Sequence, residues 1–379
     1  MAGIYIHIPF CRQACHYCNF HFSTSLKLQN DFLDALLKEM ILQKNYMAGE
    51  PVDTIYFGGG TPSLLTATAL SAIMETIYST YTIADTAEIT FEANPDDISE
   101  INLQLWKKSG INRLSIGVQS FFDEDLVWMN RAHTASQAND SIMRAQDAGF
   151  VNMSIDLIYG TPGLSDSRWA DNMQHAAELL IPHLSCYALT VEPGTPLDSM
   201  TKKKKVQPVS NDAQARQFMI MTDFFQEKGY EHYEISNLSM PGKRSIHNSS
   251  YWSGSKYLGL GPSAHSFNGR SRQWNIANNV SYIQSLKNGS IPFEIEMLTE
   301  TQRYNEYIMT SLRKMEGVDV GHIKNFFGSE YSEELIQASK KFIDKKWIDK
   351  DKADNLPGTL ILTREGKLFA DHIASALFG

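Results

Sequence analysis

Cys11, Cys15 and Cys18 fall within eight positions, in the order C-x3-C-x2-C. Thiolates are the ordinary protein ligands of iron–sulfur clusters, and one short loop can bring three of them around a cubane. A 4Fe–4S cubane held this way keeps one iron without a protein ligand. An open iron can bind and activate a small molecule, whereas a closed cluster mainly passes electrons. Zinc held by the same thiolates, with His7, His16 or His21 as fourth ligand, is the competing reading. A chance group of buried free cysteines is the bland one. Cys186, the remaining cysteine, lies on an expected strand and reads as a small buried hydrophobe.

Such ligands need a frame. Ile4, Ile6 and Ile8 alternate with Tyr5 and His7, the pattern of a strand. A helical pattern follows at Phe32, Leu33, Leu36, Leu37, Met40 and Ile41. Residues 54–57 form a short apolar strand ended by Gly58, Gly59 and Gly60. Further strands are expected at 89–91, 114–118, 155–159 and 184–189, with helices at 73–81, 101–107, 138–148 and 169–180. This repeated order predicts an α/β fold with a parallel sheet and outer helices. Six units are too few for a closed eightfold barrel, so a partial (β/α)6 TIM-like barrel or a doubly wound sheet fits. Both collect ligands at the carboxyl ends of their strands. The chemical residues fall there. The cysteines follow the first strand and Gly58 to Thr61 the second; Glu92 ends the third, Gln119 follows the fourth and Asp156 lies in the fifth.

The chain has 379 residues, 42% hydrophobic and 20% charged, enough for a sizeable core and against wholesale disorder. A net charge of -9 argues against nucleic acid as a partner. The lysine run 202–205 reads as a solvated loop. No secretory signal and no apolar run long enough to span a membrane is visible, and clustered cysteines suit a reducing, cytoplasmic setting. Residues 1–236 read as the barrel. Residues 237–297, richer in Gly, Ser and Asn, read as an irregular connector. Residues 298–379 carry helical patterns at 304–312, 323–327 and 335–342. A strand-turn-strand through Trp347 and 360–362 and a last helix complete a winged-helix-like α+β domain.

The cysteine motif after a first strand and Gly59-Gly60-Thr61-Pro62 after a second resemble the radical S-adenosylmethionine superfamily. The opening Tyr5-Ile6-His7-Ile8-Pro9-Phe10-Cys11 is similar to one branch of it. That branch holds oxygen-independent coproporphyrinogen III oxidase and the HemW-type heme chaperones. The resemblance implies a 4Fe–4S cluster on Cys11, Cys15 and Cys18, with S-adenosylmethionine chelated to the open iron. One electron from such a cluster can cleave the sulfonium to a 5′-deoxyadenosyl radical. Tyr17 matches the aromatic near the adenine, and Gly59, Gly60 and Thr61 the turn receiving the methionine amino group. Glu92 matches a carboxylate contacting the cofactor. Gln119, Arg131 and Asp156 match further contacts, some of which serve a second S-adenosylmethionine in the oxidase pattern. Tyr5 and Ala188 are weaker matches.

Three features select the chaperone over the oxidase. The oxidase motif continues to another cysteine where this chain has Phe20. The oxidase has a sizeable segment before its first strand, whereas here the strand begins almost at Met1. Third, His247-Asn248-Ser249-Ser250-Tyr251-Trp252 fits H-N-x-x-Y-W, which resembles the heme-binding signature of the chaperones. A neutral imidazole is a standard axial heme ligand, and Tyr251 and Trp252 offer flat surface to a porphyrin. The expectation is heme delivery to acceptor hemoproteins, respiratory and in part membrane-bound. By resemblance a homodimer is expected. Whether S-adenosylmethionine is cleaved stays open. Radical decarboxylation of coproporphyrinogen III is the alternative, and DNA-binding regulation through the C-terminal domain a remote one.

Overall fold

The computed structural model describes residues 2–349 and 358–379. Six parallel strands stand side by side in chain order: β1 (Ala2–Ile8), β2 (Val52–Gly59), β3 (Ile83–Ala93), β4 (Arg113–Gln119), β5 (Met153–Tyr159) and β6 (His183–Ala188). Helices Gln29–Leu42, Ala67–Thr80, Glu100–Lys108, Ala135–Asp147, Asp166–Glu178 and Asn211–Glu227 follow them in turn. This is the expected partial (β/α)6 barrel, with the sheet left open.

Local chemistry explains the elements. Ile4, Ile6 and Ile8 of β1 are fully buried, as are Ile155 and Leu157 of β5, because parallel strands are covered on both faces. The helices start where a side chain can satisfy a free backbone donor: Thr66, Ser99, Thr134 and Ser165 each accept from an N–H three residues on. Thr134 and Gln137 complete a reciprocal capping box.

The stretch 237–297 is not irregular. β9 (Lys256–Leu260) pairs parallel with β1, and β10 (His265–Phe267), β11 (Ser271–Asn275) and β12 (Phe293–Met297) extend that edge. At the other edge β8 (Asn237–Ser239) pairs antiparallel with β6, and β7 (Glu231–Glu234) with β8. These strands are three to five residues long, too short to show a period in the sequence. Gly259 in β9 lies so close to the His265 carbonyl that any Cβ would sit 2.0 Å from it. Glu39 of the first helix ties this edge down. It is buried and accepts from Gly261 N–H at 2.8 Å, Asn275 Nδ2 at 2.6 Å and Tyr282 Oη at 2.5 Å.

A second apolar core, with Tyr304, Ile308, Leu312, Leu335, Phe342 and Ile373, organises the C-terminal segment. Helices Glu300–Arg313, Val320–Phe327 and Ser329–Asp344 contain the three expected patterns. A small antiparallel sheet follows, with β15 (Thr359–Leu362) between β13 (Val318–Asp319) and β14 (Ile348–Asp349). β14 and β15 fall where the strand pair after the helices is expected, whereas β13 precedes the second of these helices; residues 350–357 lie outside the described residues. Among the described residues no helix is long and apolar enough to cross a membrane. Lysines 202–205 are solvent-exposed and Cys186 is buried, as read from the sequence.

Candidate functional site

The carboxyl ends of β1 to β6 open into one cavity of about 1160 Å³. Cys11, Cys15, Tyr17, Cys18, Gly59, Gly60, Thr61, Glu92, Gln119, Arg131, Asp156 and Ala188 all line it. Residues up to 177 positions apart in the chain, Cys11 and Ala188, therefore share one wall. Strand order brings them together. Gly59 pairs with Ile8, so the glycine turn lies beside the start of the cysteine loop, and Gly60 N–H donates to the Ile8 carbonyl at 2.9 Å. Glu92 pairs with Ser115, and Asp156 with Ser185.

The glycines are required by packing within the wall. A Cβ on Gly60 would lie 2.7 Å from the carbonyl oxygens of Ile8 and Phe10. Gly59 has a φ of +102°, and a Cβ there would meet the His7 ring at 2.4 Å. Close approach of β1 and β2 at their carboxyl ends is thus what glycine permits.

The three cysteines are half-buried and free. Thr61 Oγ1 donates to Cys11 Sγ at 3.4 Å, and Arg131 Nη1 to Cys15 Sγ at 3.3 Å. Burial pushes the Cys11 thiol up to about 11; the other cysteines push the same way, against the Thr61 hydroxyl and Arg131. Burial also raises Cys18. Three thiols so placed ionise together only with a cationic partner, and a metal cluster is such a partner. Among the described residues no three His, Cys, Asp or Glu side chains converge as ligands of a single ion. His7 bonds Tyr5 Oη and the His21 carbonyl, His16 the Trp128 carbonyl, and His21 Asn279 Oδ1. With these imidazoles hydrogen-bonded elsewhere, the cysteine loop offers three thiols to the cavity, a donor set that suits a 4Fe–4S cluster.

Beyond the cysteines the cavity carries two half-buried carboxylates and a half-buried guanidinium. Glu92 accepts from Tyr56 Oη at 2.7 Å. Burial raises its carboxyl to about 7, the Tyr56 hydrogen bond opposes this, Asp156 adds to it, and the Gly59 N–H lowers it. Burial likewise raises Asp156 to about 6, against a hydrogen bond from Ser185 and the charges of Arg131 and Arg113. Arg131 is anchored through Nη2 to Asn94 Oδ1 and the Gly117 carbonyl, both at 2.7 Å. Gln119 holds a left-handed φ of 67° at a register break after Ile116. Backbone strain of this kind concentrates at functional sites. A ligand with a cationic centre and a carboxylate fits this mixture of charges, so the wall suits S-adenosylmethionine beside the cluster.

Other expected residues stand off the cavity. Tyr5 lies behind the wall, stacked on Tyr56 at 6.1 Å. The sequence puts His247 in the stretch 237–297, read as an irregular connector. It lies instead on the helix Ile246–Trp252, capped by Ser245, and is 1% exposed. Its Nδ1 bonds Thr54 Oγ1 at 2.8 Å and its Nε2 Tyr251 Oη at 2.9 Å. In this conformation neither ring nitrogen is open to an iron ion. Burial lowers His247 to about 3, which keeps the imidazole neutral. Trp252 packs under the Arg313 guanidinium, 5.0 Å from its ring centre.

Sequence reading missed several lining residues. Asn94 was within reach, since it sits two residues after Glu92 in Glu92-Ala93-Asn94-Pro95. Tyr56 precedes the glycine turn on β2, a position shared with many buried aromatics. Arg313 and Lys367 enter from the C-terminal segment, and nothing local marks them. Burial lowers Lys367 to about 8, with Glu234 opposing. Phe20 also lines the cavity and is 63% exposed, an apolar ring where the oxidase motif has a thiol.

The profile of the radical SAM superfamily matches residues 5–176. A heme chaperone HemW of Bacillus subtilis is 33% identical over 385 aligned residues, covering 100% of this chain and 100% of the relative. The chain belongs to the HemW family. A heme chaperone HemW of Lactococcus lactis is 32% identical, covering 92% of this chain and 91% of its own. Coproporphyrinogen III oxidase (HemN) from Escherichia coli, a radical SAM enzyme, shares the fold. Its structure superposes with a TM-score of 0.85 at 23% identity, over 100% of this chain and 90% of the oxidase. Membership of the radical SAM superfamily implies a 4Fe–4S cluster and S-adenosylmethionine.

Proposed function

We propose that this protein is a heme chaperone that binds heme and passes it to acceptor hemoproteins. The observation that carries this reading is the end-to-end likeness to a protein named heme chaperone HemW. Phe20 in place of a further cysteine supports it over the oxidase reading. The cavity supports it too. At about 1160 Å³ it exceeds the roughly 300–1,000 Å³ of a site for one small molecule, which leaves space beside the cofactor.

Cys11, Cys15 and Cys18 would hold the cluster, and Glu92, Gln119, Arg131 and Asp156, with Gly59, Gly60 and Thr61, the S-adenosylmethionine. When bound, the cluster supplies one electron and an open coordination site. The chain's own residues orient and shield. Thr61 and Arg131 direct hydrogen bonds at two of the sulfurs. Tyr56 and the Gly59 N–H hold the Glu92 carboxylate toward the cavity.

Heme is the cargo, with the 247–252 segment as its first candidate contact. Iron ligation by His247 then requires the ring to release Thr54 or Tyr251. Half-exposed thiols suit the reducing cytoplasm, and a homodimer and membrane-bound acceptors belong to the same reading.

The test is anaerobic cluster reconstitution, titration with heme followed in the Soret band, and transfer to an apo-hemoprotein of a respiratory chain. Saturable binding and transfer are expected, with weaker binding after His247→Ala. Unchanged heme binding by that variant removes the axial-ligand assignment. The likeness of fold to the oxidase favours one second reading, radical decarboxylation of coproporphyrinogen III. Protoporphyrinogen formed at a useful rate under anaerobic reduction would replace the chaperone by the enzyme.

A further inference from the structure

His247 does not reach the cavity, yet it is tied to a carboxylate that does. Its ring stacks on Tyr56, with 4.9 Å between centroids and 25° between planes. The Tyr56 hydroxyl donates to Glu92 Oε1 at 2.7 Å. Thr54 and Tyr56 are two residues apart on β2 and Glu88 and Glu92 four apart on β3, so each pair shares a face. Thr54 pairs with Glu88 across the sheet. His247 caps that row. Its ring bonds Thr54 Oγ1, and its backbone N–H donates to Glu88 Oε1 at 2.9 Å. Tyr251, one turn later, closes the second ring nitrogen. The imidazole therefore has one allowed plane, and the Tyr56 ring lies flat against it.

We propose that His247 and Tyr56 form a positioning pair, in which the His247 ring fixes the plane of Tyr56 and the Tyr56 hydroxyl fixes the Glu92 carboxylate at the cavity. The inference rests on Glu92 as an S-adenosylmethionine contact and is independent of the heme assignment. Tyr56 lines the cavity and His247 stands behind it; the pair acts on binding through the Glu92 carboxylate.

The consequence is a pH dependence of binding. Glu92 is faced by Tyr56 and Gly59 from β2, Asp156 from β5, Tyr5 from β1, Tyr187 from β6, Tyr251 from the helix Ile246–Trp252, and Cys18. Of these, the Tyr56 hydroxyl and the Gly59 N–H favour the charged carboxylate. Removing the hydroxyl leaves Asp156 and burial opposed by one donor fewer, so Glu92 ionises at higher pH.

The experiment is calorimetric titration of the reconstituted protein with S-adenosylmethionine across roughly pH 6–9, a range that brackets a shift of a unit or two. Heme titration of the same samples runs in parallel. Wild-type affinity should rise as pH passes through about 7. Tyr56→Phe, which removes one oxygen and keeps the ring, should weaken binding roughly tenfold at neutral pH, the size of one hydrogen bond to a charged group. Its pH midpoint should move up by about one unit. His247→Ala should behave like Tyr56→Phe, and His247→Gln, whose amide can bridge Thr54 and Tyr251, should recover most of the affinity. Unchanged affinity and midpoint in Tyr56→Phe overturn the proposal. So does a His247→Ala protein that loses heme but keeps the wild-type S-adenosylmethionine profile. Wild-type protein that binds no S-adenosylmethionine overturns both the proposal and the cofactor assignment beneath it.

Discussion

Arg131, between the helices Asp123–Trp128 and Ala135–Asp147, reaches the cysteine loop after β1, and its Nη1 donates to Cys15 Sγ at 3.3 Å. The other terminal nitrogen is spent on Asn94 and the Gly117 carbonyl. One half-buried guanidinium thus joins the cysteine loop to two strand ends. Arg131→Ala strands Asn94 Oδ1 and the Gly117 carbonyl without a donor. A loss of about 3 kcal/mol in unfolding free energy is expected, together with a lower iron content after reconstitution. Chemical denaturation and iron analysis of the same preparation check both.

Cluster ligation is separable by position. Cys11→Ser, Cys15→Ser and Cys18→Ser should each lose most of the bound iron and sulfide. Cys186→Ser should keep it, because Cys186 is buried on β6 away from the cavity wall. Iron quantification with absorbance near the cluster band is the measurement. Full iron in a cysteine-loop variant would refute the ligand set.

The two cavity carboxylates set a pH dependence for the ligand-free protein. Burial raises Glu92 from 4.5 to about 7 and Asp156 from 3.8 to about 6. The folded state therefore binds more protons than the unfolded state between those limits. Stability is greatest below the unfolded values and falls as pH rises to about 7, by on the order of 3 kcal/mol for Glu92. Melting temperature against pH should show this fall. Glu92→Gln should flatten it, and bound S-adenosylmethionine should reverse part of it. A wild-type melting temperature that climbs over the same range contradicts the burial of these groups.

Gly60 has no space for a side chain. In Gly60→Ala the new methyl meets the Ile8 and Phe10 carbonyls, both backbone, so the strand ends must separate. Overpacking of this kind costs about 2 kcal/mol. Since Phe10 leads directly into Cys11, reconstitution yield should fall with it. Thermal unfolding and iron content report the two effects.

Glu39 tests the edge that the sequence concealed. Three donors converge on its carboxylate. Glu39→Ala leaves them unpaired and should cost about 3 kcal/mol. Hydrogen exchange should rise first around β9 and β11. Protection lost equally across β3 to β5 would count against a local tie.

By itself the sequence determined the β-then-α repeat, the six strands and the residues at their carboxyl ends. Short-range periodicity and turn glycines encode these directly, and C-x3-C-x2-C places three thiols on one loop at any fold. The strands of 237–297 were not legible, because runs of three to five residues are too short to establish a period. Only tertiary structure decided what His247 touches. Its helix packs against β1 and β2, so an imidazole read as an open ligand has both nitrogens engaged, by Thr54 of β2 and by Tyr251 of its own helix. Arg313 and Lys367 reached the cavity for a like reason. The C-terminal segment folds back over the open end of the sheet, and no local pattern records a contact made across hundreds of residues.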